Sequence, residues 1–336
     1  MNRRFLIKNI GKYPNIKLAT GLDLQTFSRT KRYVSVYGGT GVSTEDFGGS
    51  WFMIPKDGKK QKALFKTFNS DYAQSIRTNR MYNELLCQEL CQQIGLPCAE
   101  YETAHIKNQD GLVSYSILGE NERLVTLSVF TKNEDYDINL KDISKAIDGY
   151  IKKGYNIDKK QAILDFYKII VFDNITMQTD RHGWNLCMIY NKQTKSYRVA
   201  PLFDNEFAFG SKELIYLDEG FPYTIKQLEK ECSMNQYLFS IQEYYGNNDY
   251  MKIHKNMQVM VAYAKKYPAF MKILKQALKN IDVKKAIHTL EQKGHIVNPE
   301  YEKMVIEVVE YTKGMIKEEQ LKTTFQPSNE DIQDLY

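Results

Sequence analysis

The sequence predicts an α+β protein with two unlike lobes, a small β-rich lobe and a larger helical lobe, with a β-hairpin where they meet. Three observations predict this fold. Strand and turn patterns dominate from residue 32 to about residue 113, helical patterns dominate afterwards, and two short apolar runs joined by a polar turn follow a helix in mid-chain. We therefore divide the chain into an N-terminal extension (1–31), a small lobe (32–113), a hinge with a helical lobe (114–322) and a tail (323–336).

The small lobe is predicted to contain a strand, a hairpin, a helix and a further strand. The segment WFMIPKDGKKQKALFKTF is two apolar runs around Asp57 and Gly58, a dipeptide typical of two-residue hairpin turns. A helical pattern follows from about Asp71 to Ile94, and Gly95 and Pro97 end it. The flanking strands are RYVSVYGG before the hairpin and AEYETAHI after the helix.

Apolar residues at helical spacing fill most of the chain after GLVSYSILGENERLVTLSVF, residues 111–130. In this half we expect β structure only in the hairpin within residues 177–210, whose second strand, YRVAPLF, ends at Asp204. The Lys-rich run KKYPAFMKILKQALKNIDVKKAIHTLEQKG also has apolar residues at helical spacing. This spacing favours a packed helix with a solvated basic face over a site that binds a membrane surface or an acidic partner. The predicted helices are LKDISKAIDGYIKKG, DKKQAILDFYKIIVFDNITM, YTIKQLEKECSMNQYLFSIQEYY, YMKIHKNMQVMVAYAKKY, AFMKILKQALKNI and PEYEKMVIEVVEYTKGMIKEEQLK.

Composition excludes several classes of function. The chain has 336 residues, 46 basic against 41 acidic residues and a formal net charge of +5, which is too small for a dedicated nucleic-acid-binding protein. No stretch approaches the ~20 apolar residues of a membrane span, and the first apolar run breaks too early for a signal peptide. We therefore expect a cytoplasmic protein with reduced core thiols at Cys87, Cys91, Cys98, Cys187 and Cys232.

A polar cluster lies between apolar segments in TDRHGWNL and VAPLFDNEFAF. Asp180 and Asn185 have the Asp-x-x-x-x-Asn spacing of a phosphoryl-transfer loop, and they follow an apolar helix from Ile163 to Thr176. Phosphoryl transfer from ATP requires charge placed around the phosphates more than covalent chemistry. Asp180 would orient the acceptor hydroxyl and accept its proton, while Asn185 and Asp204 would bind Mg²⁺ through oxygen atoms.

The same chemistry predicts a Lys on a strand of the small lobe and a Glu on the next helix. Lys66 lies in KALFKTF, and a half-buried Lys is unfavourable unless phosphate and a carboxylate satisfy it. Glu84 follows on the helix NRMYNELLCQEL. A Gly-rich loop is a weaker indication, and its residues able to approach phosphate oxygens are Gly38, Gly39 and Gly41, or Gly48, Gly49 and Ser50.

The motifs TDRHGWNL and VAPLFDNEFAF resemble the paired signature of HipA-like kinases, whose catalytic loop reads Asn-x-Asp-x-His-x-x-Asn and whose metal-binding Asp follows Leu-Ala-Pro-x-Tyr. NELLCQELCQQIGLPCAEYE resembles the helix and following strand of that family. The resemblance covers roughly residues 48–210 and favours the compact, CtkA-type branch. It implies a two-lobed protein-kinase-like fold, dependence on ATP and Mg²⁺, and phosphorylation of Ser or Thr in proteins, including autophosphorylation.

Carried over residue by residue, the resemblance implies a role for each candidate. Lys66 and Glu84 would anchor phosphate, and Asp180 would be the base. His182 would shape the catalytic loop, while Asn185 and Asp204 would bind metal. Candidate autophosphorylation sites are the hydroxyls of the presumed phosphate loop, Ser43, Thr44 and Ser50. Nucleotide would contact that loop and the hinge at Gly48, Gly49, Ser50, Lys66, Ser114, Tyr115, Ser116, Ile117 and Leu118.

The sequence also departs from the family pattern. Gln178 stands where the family usually has Asn, and the Glu-Arg-Phe-Asp-Arg hinge of the toxin HipA is absent. The segment before the first strand is shorter than the N-terminal subdomain of that toxin. These departures argue against a toxin with an antitoxin partner, so the expected partner is a protein substrate.

Three functions stay open at this point: a Ser/Thr protein kinase, a lipid or small-molecule kinase with the same core, and a nucleotide-binding pseudokinase acting as an interaction module. DRHxxN is similar to the catalytic loop of phosphoinositide kinases, but NEFAFGSKELIYLDEGFPYT is acidic and aromatic where a lipid kinase would carry a basic loop. Structural interpretations also remain: Asp180 and Asn185 as a capping pair, Lys66 as an edge-strand Lys, and Glu84 on a solvated helix face.

Overall fold

The computed structural model describes residues 17–29, 50–67, 74–107, 109–132, 139–210, 224–231, 233–234 and 251–322. Several predicted features lie outside these residues. They are the strand RYVSVYGG, the glycines Gly38, Gly39, Gly41, Gly48 and Gly49, the hydroxyls Ser43 and Thr44, Cys232 and the tail 323–336.

The small lobe is a six-stranded sheet with the order β1-β5-β6-β4-β3-β2. The predicted hairpin is confirmed, because β3 and β4 pair antiparallel around Asp57 and Gly58. Both residues have positive φ, 51° and 74°, as a type I′ turn requires. The strands are β1 (Leu22–Asp23), β2 (Ser28–Arg29), β3 (Ser50–Lys56), β4 (Lys59–Lys66), β5 (Tyr101–Ile106) and β6 (Gln109–Tyr115).

One long helix, α1 (Gln74–Gln93), connects β4 to β5. It ends as predicted: Gly95 has a φ of 61°, and the N–H of Leu96 donates to the carbonyl of Cys91, which is a glycine-based helix stop. The two faces of the sheet differ. Phe52, Ala63, Phe65, Val113 and Tyr115 form a small core on one face, and alternation puts Lys66 on the other face.

The helical lobe follows, with a second sheet of four strands at the boundary, ordered β7-β9-β10-β8. The strands are β7 (Glu122–Thr126), β8 (Asn156–Ile157), β9 (Cys187–Asn191) and β10 (Ser196–Val199). The helices are α2 (Leu127–Thr131), α3 (Leu140–Lys152), α4 (Lys159–Ile175), α5 (Ile225–Glu231), α6 (Ile253–Lys266), α7 (Pro268–Asn280), α8 (Val283–Gln292) and α9 (Pro299–Leu321).

The prediction that this half has no β structure beyond the hairpin is wrong. β9 and β10 form that hairpin, but the two-residue β8 pairs parallel with β10. β7, which precedes this half, pairs antiparallel with β9. A strand of two residues carries no periodicity, and β7 is identified by its partner rather than by its own alternation. The strand YRVAPLF also ends earlier than predicted, at Val199, because Pro201 has no N–H to continue the ladder.

The predicted helix YTIKQLEKECSMNQYLFSIQEYY is wrong in part. α5 ends at Glu231, and β11 (Ser233–Met234) then pairs antiparallel with β12 (Met251–Lys252). The Lys-rich run contains two helices. The predicted helix AFMKILKQALKNI corresponds to α7, which ends at Asn280, while α8 is not among the predicted segments and begins where Asp282 accepts a hydrogen bond from the N–H of Lys285 and caps it. Both α7 and α8 bury an apolar face, as expected.

The main core lies in the helical lobe and extends over α1 into the small lobe. Cys87, Cys91 and Cys187 are buried thiols, as predicted, and Cys98 is half-buried. Burial raises the pKa of the Cys87 and Cys91 thiols. Among the residues described above, no helix has the length and apolar character needed to cross a membrane.

Candidate active site

Lys66, the last residue of β4, lies between two carboxylates. Its Nζ donates to Asp204 Oδ1 at 3.1 Å and lies 3.5 Å from Glu84 Oε1. The Glu84 side chain is fully buried, whereas those of Lys66 and Asp204 keep 23% and 35% exposure. The strand, helix α1 and the segment after β10 each contribute one of these three residues, so the ion-pair cluster connects the two lobes.

The charges of this cluster stabilise one another. Burial disfavours the Lys66 ammonium, but the carboxylates of Asp204 and Glu84 outweigh burial and raise the Lys66 pKa above its ordinary value. Burial also opposes ionisation of Asp204, yet the positive charges of Lys66 and Arg181 lower the Asp204 pKa below its usual range. Asp204 is therefore an anion near neutral pH. Burial dominates at Glu84 and raises its pKa, with Lys66 opposing.

Glu84 and the backbone around Asp204 are held by further bonds. Glu84 Oε2 accepts the N–H of Asn205 at 2.8 Å. The Tyr101 hydroxyl bonds to the Glu84 side chain and accepts the N–H of Asp204 at 3.3 Å. Asp204 has a φ of 63°, a left-handed conformation that costs a non-glycine residue energy and is typical of functional sites.

The Asp180 loop, residues 178–186, follows the end of α4. Asn185 fastens it internally, since Nδ2 donates to the carbonyl of Asp180 at 2.7 Å and Oδ1 accepts the N–H of His182 at 2.9 Å. These partners fix the orientation of the Asn185 amide. The His182 ring also stays within the loop, where Nδ1 accepts the N–H of Trp184 at 3.3 Å. Asp180 is half-buried.

Gln178 connects the Asp180 loop to Asp204. Its Oε1 accepts the N–H of Asp180 at 3.1 Å, and its Nε2 donates to the carbonyl of Asp204 at 3.3 Å. The side chain is buried. The sequence marked this position only as a departure from the family pattern. In the structure, Gln178 bonds to the backbone of both candidate aspartates.

Arg181 is the residue that sequence reasoning missed most clearly. Its side chain is 3% exposed and forms a two-bond ion pair with Asp173 of α4, at 3.0 and 3.1 Å. It also donates to the carbonyl of Phe203 at 2.8 Å and to Asn205 Oδ1 at 2.7 Å. A planar guanidinium suits this fork-like recognition. Arg181 therefore joins the helix, the Asp180 loop and the segment around Asp204.

The Asp204 loop, residues 200–210, is held mostly by distant elements. Leu202 exchanges backbone bonds with Pro97 and Ala99, between α1 and β5. Further along, the N–H groups of Phe209 and Gly210 donate to carbonyls at the end of α4, at 2.6 and 3.0 Å. The loop thus runs from the small lobe to the base of the Asp180 loop, which places Asp204 between them.

Glu206 and Arg80 form a second ion pair from this loop to α1. The Arg80 guanidinium also lies 4.5 Å from the centre of the Phe207 ring, a cation–π contact. Burial and the nearby Asp204 carboxylate raise the pKa of Glu206 to about 7. Neither Glu206 nor Arg80 stood out in the sequence, because an Arg on a helix and a Glu in a loop are ordinary surface residues.

The candidate hinge residues divide between the two sheet faces. Ser114 pairs with Leu64 in the ladder and shares its face with Lys66, whereas the Tyr115 side chain packs in the core of the opposite face. The N–H of Ser116 donates to the carbonyl of Lys62 at 2.8 Å. Ile117 and Leu118 pack on an apolar cluster of the helical lobe formed by Cys187, Ile189 and Ala200.

The structure thus brings together Lys66, Glu84 and Asp204, and it connects Asp180, His182 and Asn185 to them through Gln178 and Arg181. Gly48 and Gly49 lie outside the described residues, and for Ser50 only the backbone, at the start of β3, is described. Within the described ranges, no group of three or more His, Cys, Asp or Glu side chains is arranged to hold a metal. A metal site here would combine a carboxylate with an amide.

The chain is similar to known proteins in its family pattern and in its fold. Residues 29–282 match the HipA-like C-terminal domain family. No curated protein sequence matches the chain. The crystal structure of the Helicobacter pylori proinflammatory kinase CtkA is similar, with a TM-score of 0.64 and 15% identity over 90% of this chain and 100% of that chain. HipA of a Shewanella oneidensis MR-1 toxin–antitoxin system, solved with HipB and operator DNA, has a TM-score of 0.47 and 9% identity over 87% of this chain and 72% of that chain.

The likeness to CtkA confirms the predicted fold, a two-lobed, protein-kinase-like α+β architecture with a β-rich N-lobe and a larger helical C-lobe. At this identity it shows the fold alone. The family match covers most of the chain, including both candidate loops and the Lys66 strand. The protein is therefore a kinase-like member of the HipA-like C-terminal domain family.

Proposed function

We propose that this protein is an ATP- and Mg²⁺-dependent kinase that phosphorylates Ser or Thr in a protein substrate and in itself. One observation carries the proposal: the Lys66 ammonium lies between the Glu84 and Asp204 carboxylates, at 3.5 and 3.1 Å. The Asp180 loop is bonded to the backbone of the same Asp204. Phosphoryl transfer needs a cation for the phosphates, an anion for the metal and a base near the acceptor, and each has a candidate in this arrangement.

Lys66 suits the role of phosphate anchor. Its side chain is partly exposed at the cleft face of the sheet, so the ammonium is able to reach a ligand. Glu84 is fully buried and does not face solvent, so it acts through Lys66 by holding the ammonium in place. In protein kinases a Lys on a strand of the small lobe holds the α- and β-phosphates in this way.

Asp204 and Asn185 fit the group of donors that Mg²⁺ prefers. Asp204 is kept ionised by Lys66 and Arg181, and the Asn185 amide is oriented with its oxygen toward the N–H of His182, which leaves that oxygen a second lone pair for a cation. Oxygen ligands from one carboxylate and one amide, together with phosphates, are typical of Mg²⁺ sites in kinases. Bound ATP would supply the phosphoryl group, and Mg²⁺ would neutralise the negative charge on the phosphate oxygens.

Asp180 would be the general base. Its carboxylate would accept the proton of the acceptor hydroxyl, which requires that its backbone be held still. Gln178 binds the Asp180 N–H and Asn185 binds its carbonyl, so both sides of the residue are fixed. His182 shapes the loop through its own backbone and ring contacts, which makes a positioning role more apt for it than proton transfer.

Nucleotide would lie under the small sheet. Leu64 and Ser114 form the part of the sheet face next to Lys66, and Ile117 and Leu118 lead into the apolar cluster of the opposite lobe. Ser116, whose N–H already donates to the carbonyl of Lys62, would contribute its own carbonyl at the hinge. Gly48, Gly49 and Ser50 would approach the phosphates, and the hydroxyls of Ser43, Thr44 and Ser50 are the proposed autophosphorylation sites.

The test is intact-mass spectrometry of phosphatase-treated protein after incubation with Mg²⁺-ATP. We expect added phosphoryl groups on the wild type. Asp180→Ala and Asp204→Ala should remove the base and the metal ligand and lower the rate by several orders of magnitude. Asp148→Asn is the matched control, because Asp148 forms a surface ion pair with Lys159 and its loss should leave the rate unchanged.

Peptide mapping of the modified wild type then tests the sites. Phosphate on Ser43, Thr44 or Ser50 supports autophosphorylation of the phosphate loop, and an active protein unmodified at all three contradicts it. If Asp180→Ala retains the wild-type rate, Asp180 is not the base. Binding of ATP without transfer to any protein hydroxyl would contradict protein phosphorylation and indicate a lipid or small-molecule acceptor, or a pseudokinase.

A further inference from the structure

Asn83, the residue before Glu84, connects α1 to two other parts of the fold. Its Nδ2 donates to the carbonyls of Glu206 and Ala208 at 2.9 and 3.3 Å. Its Oδ1 accepts the hydroxyl hydrogen of Tyr301 on α9. The side chain is 1% exposed. Asn83 therefore joins a C-terminal helix to the loop that carries Asp204.

Asn83 and Glu84 hold the same short segment from adjacent positions on one helix. Asn83 binds the carbonyls of residues 206 and 208, while Glu84 binds the N–H of Asn205. Any rotation or sliding of α1 would move both contacts at once. The orientation of Glu84 toward Lys66 thus depends on what holds α1 in place.

The last helices of the described chain hold α1 along its length. Tyr301 packs edge-on against Tyr82, with ring centres 5.7 Å apart. Lys293, just after α8, forms an ion pair with Glu89 at 2.5 Å. Gln93 exchanges two hydrogen bonds with the backbone of Asp282, at 2.9 and 2.7 Å. These contacts fix α1 at its middle and at its C-terminal end.

The contacts made by Lys293 and Tyr301 come from outside the part of the chain that defines the family. The family match ends at residue 282, whereas α8 and α9 span Val283–Gln292 and Pro299–Leu321. On the N-terminal side of the match, Lys17 exchanges two backbone bonds with Ile296, and the N–H of Ala19 donates to His295 Nδ1. The segments on the two sides of the family match therefore meet at the connection between α8 and α9.

We propose that α9 positions helix α1 for phosphoryl transfer, with Tyr301 and Asn83 as the positioning residues that transmit its contact to Glu84 and to the Asp204 loop. This inference rests on the proposed kinase function. Neither residue touches substrate; each acts through the alignment of Lys66, Glu84 and Asp204.

Tyr301→Phe tests the link, because it removes one hydroxyl and keeps the ring against Tyr82. Tyr311→Phe is the matched control: Tyr311 lies on the same helix and its hydroxyl donates to Glu229 of α5, away from α1. We expect Tyr301→Phe to lower kcat about tenfold with little change in the KM for ATP, since small misplacements in a site of this kind cost one to two orders of magnitude in rate. Tyr311→Phe should keep the wild-type kcat.

Hydrogen exchange, measured by mass spectrometry on the same variants, gives a readout that does not need activity. We expect faster exchange in α1 and in residues 204–208 for Tyr301→Phe, and wild-type exchange there for Tyr311→Phe. Asn83→Ala removes the same bond and also the two bonds to the carbonyls of Glu206 and Ala208. It should therefore lower kcat at least as much as Tyr301→Phe, and the double variant should lose little more than Asn83→Ala alone. If Tyr301→Phe does not fold, the kcat and the hydrogen exchange of Asn83→Ala test the inference instead.

Two results would overturn the inference. One is a wild-type kcat and wild-type exchange in Tyr301→Phe. The other is an equal loss of kcat in both Tyr variants in proportion to their thermal stabilities, which would reveal only general destabilisation. If the wild type transfers no phosphate, the proposed function fails, and the exchange comparison alone then decides whether α9 positions α1.

Discussion

The Asp180 loop and the Asp204 loop carry the two candidate aspartates, but they are stabilised differently. The side-chain bonds that shape the Asp180 loop join residues 2, 3 and 5 positions apart. Those that hold Asp204 and Asn205 join residues 103, 121 and 138 positions apart. The first loop is thus a local structure, and the second is an assembly of distant elements.

Because of this difference, we expect substitutions in the two loops to affect the rate of phosphoryl transfer and the free energy of unfolding differently. Substitutions within the Asp180 loop should impair transfer while the free energy of unfolding changes little, because few long-range contacts are lost. Substitutions that loosen the Asp204 loop should lower both, because its bonds also connect α1, β5 and α4. Arg181 belongs to both groups, since it lies in the first loop and bonds to the second.

Arg181→Met should therefore have the largest effect on stability. Removing the guanidinium leaves the buried Asp173 carboxylate without its ion-pair partner, which should lower the free energy of unfolding by about 3 to 5 kcal/mol. Urea denaturation measures the loss. Arg198→Met is the control, because Arg198 is 49% exposed in its pair with Glu122 and should lose at most about 1 kcal/mol. Equal losses in the two variants would contradict the central place given to Arg181.

Glu206 should make the stability of the Asp204 loop depend on pH. Its pKa is about 7 in the folded protein against an ordinary 4.5, so between these values the folded state binds more protons than the unfolded state. The free energy of unfolding should then fall as the pH rises through that window. Glu206→Gln removes the titration, and denaturation from about pH 5 to about pH 8 compares the two proteins. A wild-type-minus-variant difference that is constant across this range would show that Glu206 does not titrate there.

Asn185→Ala should separate rate from stability. It removes the proposed metal-binding oxygen and two local bonds, so transfer should fall by about 100-fold or more, while the free energy of unfolding should fall by only about 1 kcal/mol. Measuring the rate over a range of Mg²⁺ concentrations, together with thermal unfolding, tests both parts. Asn191→Ala is matched to it: Asn191 Oδ1 accepts two backbone N–H groups in the β9–β10 turn, and its loss should change stability alone.

Tyr101→Phe should have the smallest effect of the four. It removes the hydroxyl that connects Glu84 to the Asp204 N–H and should lower stability by about 1 kcal/mol and the rate by about tenfold. Tyr115→Phe deletes a hydroxyl that donates to Glu102 at 2.8 Å on the opposite face of the same sheet. Rate assays of both variants test this role: a rate loss in Tyr115→Phe without one in Tyr101→Phe would contradict the role given to the Tyr101 hydroxyl.

The contrast between the loops also explains what the sequence was able to predict. Asp180 and Asn185 stand out because they are five positions apart in one loop and contact each other there. Asp57 and Gly58 are adjacent in the sequence and by themselves predict a hairpin turn. Lys66 stands out because an ammonium within an alternating apolar strand needs a partner. In each case the informative residues are neighbours in the chain.

The features that the sequence did not reveal depend on distant partners. Arg181 reads as a solvated charge until Asp173 of α4, together with Phe203 and Asn205 of the Asp204 loop, is brought next to it. β8 has two residues and carries no periodic pattern, and β7 is identified by its pairing with β9 rather than by its own alternation. Leu202, beyond the end of β10, pairs with Cys98 of the small lobe, a contact that no local pattern predicts.

The pairing of Lys17 with Ile296 has a consequence for the order in which the protein assembles. Ala19 and His295, which bond beside that pair, are 276 residues apart, and a contact of such sequence separation forms late and slowly. During translation, Lys17 and Ala19 have no partners until His295 and Ile296 have emerged from the ribosome, and Tyr301 emerges later. A nascent chain that already contains Lys66, Asp180 and Asp204 therefore lacks the contacts that hold α1. The contacts of Lys293 and Tyr301 with α1 therefore form only after the part of the chain that matches the family has been synthesised.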